Sequence, residues 1–193
     1  MILKNLVIIT LIAICGTVNA QNFDSRLLNS INSQNTKYDK VWLGFSHSAT
    51  PVAILTPLTL FGMGYYHYLP NGKKNAYAMA GSLALNSILT VSLKYAINRE
   101  RPFVAENNIY KKTDVGPYSF PSGHTSTVFA TATSLTLAYP KWYVAAPAFA
   151  WASAVGYSRM HLGVHYPSDV LAGALIGSLS SFMAYKLNQK FVK

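Results

Sequence analysis

The chain has 193 residues, 51% of them hydrophobic and only 11% charged, and 16 Lys and Arg against 6 Asp and Glu leave a net charge of +10. Set against about 25% charged residues in an ordinary soluble domain, this composition excludes a disordered chain and a highly charged soluble protein. The basic residues are scattered between apolar runs, which places a membrane ahead of nucleic acid as the reason for the positive excess.

In chain order, Lys4, the apolar run 6–15 and Val18-Asn19-Ala20 read as a signal peptide over residues 1–20, cut between Ala20 and Gln21. An uncleaved first span is the alternative. Cys15 is the single cysteine and follows Ile14, where lipoprotein processing needs a small residue, so neither lipidation nor a disulfide is expected. Residues 21–48 are expected to form a periplasmic or interfacial segment. Within it Phe23, Leu27, Leu28 and Ile31 recur at helical spacing, with Asp24 or Ser25 as a cap. That helix either lies on the outer leaflet or packs on the bundle.

Residues 49–193 are expected to be one helical domain. Its apolar segments 49–66, 76–97, 125–139, 142–157 and 170–185 are helical by length and run about 22 to 33 Å, against about 30 Å of hydrocarbon. Their Gly, Ala, Ser and Thr content suits close packing in a bilayer or in a soluble bundle. Charge placement separates the two. With the mature N-terminus outside, the inner loops carry Lys73, Lys74, Lys141, Lys186, Lys190 and Lys193 and no acidic residue. Asp24, Asp39, Glu100, Glu106, Asp114 and Asp169 all fall outside, as the positive-inside rule requires. Trp42, Tyr65, Tyr66, Tyr68, Tyr139, Trp142, Tyr143 and Tyr185 gather near the segment ends as an interfacial belt. The expected fold class is all-α, a membrane-embedded helical bundle with about five transmembrane helices after the signal segment.

The ionisable residues cluster at the outer ends. Lys94 is followed seven residues later by Arg101 and then Pro102. If the helix persists, about two turns put both cations on one face; otherwise Lys94 snorkels and Arg101 is solvated. Pro121-Ser122-Gly123-His124 opens the third segment, gathering free backbone N–H groups, a hydroxyl and an imidazole. It is an anion site or a plain helix start. Ser158-Arg159 ends the fourth segment, and His165 precedes Asp169 by four residues. This carboxylate can accept the Nδ1–H and leave Nε2 nucleophilic, or make only a local hydrogen bond. Convergence favours chemistry, because three cations and two histidines at one depth require an anion.

Lys-x6-Arg-Pro, Pro-Ser-Gly-His and Ser-Arg-x5-His-x3-Asp together resemble the three-part signature of the type 2 phosphatidic acid phosphatase superfamily, and all eleven specified positions match. The resemblance spans about residues 76–185. It implies that Lys94, Arg101, Arg159, Ser122 and the Gly123 N–H cradle a phosphoryl group. It also implies that His165, oriented by Asp169, attacks phosphorus, while His124 protonates the leaving oxygen and then activates water. No metal or other cofactor is expected. His161 is expected to border the site, His47 and His67 to be interfacial, and Lys111 and Lys112 to sit in a solvated loop or attract an anionic head group.

The activity implied is hydrolysis of a phosphomonoester or pyrophosphate on a lipid head group through a phosphohistidine. The setting implied is the bacterial inner membrane, with the site facing the periplasm. Partners are then a phosphorylated lipid and the membrane, with no nucleic acid. A soluble exported acid phosphatase is the main rival, and a vanadate haloperoxidase or a non-catalytic scaffold are the others.

Overall fold

The structure, a computed structural model, describes residues 23–191, so the expected signal segment 1–20 lies outside the described residues. Every regular element among them is a helix. Helix α1 covers residues 23–31. It is followed by α2 (Asp39–Tyr65), α3 (Gly72–Ile97), the short α4 (Pro102–Ala105), α5 (Gly123–Ala138), α6 (Trp142–His161) and α7 (Pro167–Phe191). The central helix is α5, which packs against α2, α3, α6 and α7. Short links reverse the chain between the long helices, so the start of α2, the end of α3, the start of α5, the end of α6 and the start of α7 meet at one end.

Local chemistry sets these boundaries. Asn98 ends α3 in the left-handed region at φ 51°, a conformation its short polar side chain tolerates better than most. Pro102 and Pro167 open α4 and α7, where a missing N–H costs nothing. Because α3 stops at Ile97, Lys94 and Arg101 do not share a helical face as a continued helix would require. Arg101 instead arrives on extended backbone, φ −80° and ψ 150°, where a residue before proline is held.

The bundle buries polar side chains beside small apolar core clusters and is apolar outside. Ser82, Asn86, Thr90, Ser126, Ser134 and Ser181 are buried. Ser82 and Ser181 hydroxyls lie 2.7 Å apart, Ser181 Oγ donates to the Ala130 carbonyl at 2.7 Å, and Thr90 and Ser126 hydroxyls lie 3.1 Å apart. Leu171, Leu175 and Leu179 meanwhile point outward from α7, and Ile54, Leu55 and Leu58 from α2. Water would penalise so large an apolar exterior. Two of the helical stretches, Gly72–Ala105 and Pro167–Lys190, are long and apolar enough by themselves to cross a membrane.

Small residues let the backbones approach. A Cβ on Gly173 would stand 2.6 Å from the Ser122 carbonyl oxygen, and one on Gly177 would meet the Ser126 carbonyl and stand 2.9 Å from the Ala130 nitrogen. Gly177→Ala must therefore push α7 off α5. The expected cost is about 1–3 kcal/mol, seen as a lower melting temperature of the detergent-solubilised chain; a variant melting with the wild type would mean the two helices separate freely.

One boundary differs from the expectation, and for α1 one of the two expected placements is observed. Helix α2 begins at Asp39, so the last third of the expected interfacial segment belongs to a long helix. Helix α1 packs on the bundle, with Leu28 fully buried in a cluster with Ile109 and Tyr166. Neither Asp24 nor Ser25 caps α1 in the hydrogen bonds they make: Ser25 Oγ donates to Glu106 at 2.7 Å, and Asp24 accepts from the start of α7.

Candidate active site

Where the five helix ends meet, each charged side chain is fixed by a backbone or hydroxyl partner. Lys94, in the last turn of α3, donates from Nζ to the Tyr118 carbonyl at 2.9 Å. Its Cε lies 3.9 Å from where a Cβ on Gly123 would stand, so the side chain reaches the N-terminus of α5. Arg101 is buried and donates from Nε to Gly116 O and from Nη1 to Val164 O, both at 2.7 Å. Arg159, in the last turn of α6, is buried and donates from Nη1 to Ser46 Oγ on α2. Its Nε has no partner among the described residues.

Ser122 is the N-cap residue of α5 and follows a cis Phe120–Pro121 bond. Its backbone N–H donates to the Asp169 carbonyl at 3.0 Å, and its hydroxyl lies 2.9 Å from Thr125 Oγ1. This ties the start of α5 to the start of α7. His124 is half-buried two residues further, within electrostatic reach of Arg159, His47, Arg101 and Lys94. The α5 N–H groups, a dipole end and three cations thus face one point.

His165 lies in the link between α6 and α7, which turns at Gly163 with φ +72°. A side chain there would be strained and would also meet the Tyr110 carbonyl, so glycine is required. His165 Nε2 lies 3.2 Å from Arg101 Nη1, and Nδ1 lies 3.5 Å from Asp169 Oδ2. A guanidinium only donates, so Nε2 carries the lone pair and Nδ1 the proton. Burial pushes the imidazole pKa down to about 3, the Arg101 and Arg159 charges add to this, and Asp169 opposes it. The ring is therefore neutral at ordinary pH, with its free lone pair inside the cationic cluster.

All of the residues expected from sequence, Lys94, Arg101, Ser122, Gly123, His124, Arg159, His165 and Asp169, fall at this end of the bundle. Several partners were not foreseen. Arg99 bonds Asp169, Ser119 Oγ donates to Asp169 Oδ2 at 2.5 Å, and Ser46 holds Arg159. Only Arg99 left a trace, as a second arginine two positions before the first. His161 is buried, its Nε2 lies 2.8 Å from Asp39 Oδ1, and its ring stacks on Tyr157. Lys112 is not solvated but pairs with the same Asp39 at 2.8 Å, whereas Lys111 pairs with Asp114 at 2.9 Å. Exposed His47 is near His124.

The pattern of the PAP2 superfamily matches residues 75–193. An undecaprenyl-diphosphatase of Sulfolobus acidocaldarius is 37% identical over 125 residues, 60% of this chain and 56% of that protein. A lipid A 1-phosphatase of Rhizobium etli is 32% identical over 155 residues, 72% of this chain and 66% of that protein. The chain thus spans between half and two thirds of the length of these relatives. Among solved structures, LpxE of Aquifex aeolicus superposes with a TM-score of 0.71 at 27% identity, covering 84% of this chain and 92% of that one. With the matched region extending over more than half of its length and carrying the whole cluster from Lys94 to Asp169, the chain belongs to the PAP2 superfamily.

Proposed function

We propose that the chain is a membrane-embedded phosphatase that hydrolyses a phosphomonoester or pyrophosphate on a lipid head group at the periplasmic face of a bacterial inner membrane, through a phosphohistidine. One observation carries the reading: a buried neutral histidine whose Nε2 lone pair points into a cluster of Lys94, Arg101 and Arg159. The cluster suits a phosphate dianion, which would replace the Nε2 contact to Arg101 and take up the unused Arg159 Nε. The apolar exterior supports the bilayer, and the relatives named above support a lipid substrate.

In the first step the His165 Nε2 lone pair forms an N–P bond as the P–O bond to the lipid breaks. His124 gives its proton to the departing oxygen. Lys94, Arg101, Arg159 and the α5 N–H groups hold the equatorial oxygens, and Asp169 balances the charge on the phosphorylated imidazole. In the second step water attacks phosphorus, loses its proton to His124 and releases orthophosphate with neutral His165.

The test is phosphate release from membranes given undecaprenyl pyrophosphate, lipid A, phosphatidylglycerol phosphate, phosphatidic acid or p-nitrophenyl phosphate, with EDTA present and with His165→Ala as control. EDTA-resistant release from one lipid class, lost in the variant, is expected. Equal release from the soluble ester, recovered in the aqueous fraction, would instead mark a soluble acid phosphatase.

Activity should depend on pH as a bell. The alkaline limb follows loss of the His124 proton, so activity falls as pH rises through it. The acidic limb follows protonation of His165, so activity falls only as pH drops toward the depressed pKa of about 3. A kcat/KM profile, corrected for the substrate's own second ionisation near about 6, checks this; an acidic limb at about 6.5 would contradict a buried neutral nucleophile.

A further inference from the structure

The charge that keeps Asp169 in place comes from outside the signature residues. Asp169 is fully buried, and its Oδ1 accepts from Arg99 Nη1 at 2.7 Å. Its Oδ2 accepts from Ser119 Oγ at 2.5 Å and from the Tyr166 N–H at 2.9 Å, and the same oxygen faces His165 Nδ1 at 3.5 Å. A buried carboxylate needs a counter-charge and full hydrogen bonding. His165, being neutral, supplies no such charge, and Arg99 does.

Arg99 is in turn fixed on three sides. Its Nη2 donates to Asp24 Oδ2 at 2.9 Å, its Nη1 donates to Ser168 Oγ at 2.7 Å, and its guanidinium lies 4.0 Å from the centre of the Tyr166 ring. Asp24, itself buried, also accepts from the Ser168 N–H at 2.9 Å and from the Ser168 hydroxyl. It thus caps the start of α7 from another helix. Asp24 belongs to α1, which lies before the region 75–193 matched by the family.

We infer that Arg99, clamped by Asp24 of α1, is the positioning residue of the Asp169–His165 pair, so that α1 is part of the catalytic apparatus and not an accessory of the fold. This rests on the hydrolase reading above. Arg99 touches no reacting atom; it sets where the Asp169 oxygens stand, and through them the direction of the His165 lone pair. Without Arg99, Asp169 keeps Ser119 and the Tyr166 N–H, both on Oδ2, while Oδ1 loses its partner and the carboxylate its counter-charge.

The test is steady-state hydrolysis by the full chain in detergent, comparing wild type, Arg99→Gln, Arg99→Lys, Asp24→Asn and the double variant Asp24→Asn/Arg99→Gln, each with its melting temperature. A small misplacement of a reacting group lowers rate far more than binding, so kcat of Arg99→Gln is expected to fall about 10- to 100-fold with KM nearly unchanged. Arg99→Lys, which keeps the charge, recovers part of kcat. Asp24→Asn falls in the same direction by less, and in kcat the double variant is no worse than Arg99→Gln, because Asp24 reaches Asp169 through Arg99; its separate cap on α7 reads out in the melting temperature. A wild-type kcat in Arg99→Gln, a loss confined to KM, or a loss that follows melting temperature with no recovery in Arg99→Lys overturns the positioning role and leaves the hydrolase reading standing. A wild-type chain that releases no phosphate from any substrate overturns both.

Discussion

Replacing His165 by alanine is expected to lower kcat/KM by about 10⁴-fold or more, the loss typical of removing the nucleophile of a covalent mechanism. In the described structure it is the imidazole whose lone pair meets the cationic cluster, and the arginines around it have none to offer. The side chain is buried but makes few polar contacts, so the variant should fold and bind phosphate while failing to react. Quenching the wild type during turnover with denaturant at alkaline pH should trap phosphate on the protein in a form stable to base and labile to acid. His165→Ala should trap none. A variant that keeps a tenth of the activity would remove the covalent step and leave direct attack by water.

His124→Ala should cost about 10²–10⁴-fold on a lipid ester, the usual contribution of a positioned general acid. The leaving group decides how much of that is seen. A lipid alkoxide departs only with a proton, whereas p-nitrophenolate departs without one. The loss should therefore be large on the lipid and small in the first step on p-nitrophenyl phosphate, where the remaining deficit lies in water activation. Equal losses on both substrates would show that His124 acts only through its place beside the cradle. Together with His165→Ala, this comparison separates the two imidazoles by role.

Much of this protein was legible in its sequence because the chemistry is local. Ser122 starts α5 beside Gly123 and His124, and Pro167 starts α7 two residues before Asp169, so short strings of residues position a hydroxyl, an imidazole and a carboxylate at helix starts. Apolar runs broken by turn residues marked the five long helices, although α2 starts earlier than its apolar run because Asp39 and Trp42 are held by α6 residues. The spacing from Lys94 to Arg101 left a shared helical face and a solvated Arg101 both open, and neither is found: Asn98 ends the helix, Pro102 keeps Arg101 extended, and the guanidinium is buried.

What the sequence determined by itself was the set of chemical groups, their order and the end of the bundle to which each belongs, because helix periodicity and caps act over a few residues. Tertiary structure alone decided which partner satisfies each buried charge. Arg99 meets Asp169 across 70 positions and Asp24 across 75, and Ser46 meets Arg159 across 113. Pairing over such distances leaves no periodic trace in the chain. It is fixed only once the helices pack and each buried ion must find its counter-charge or hydrogen bond.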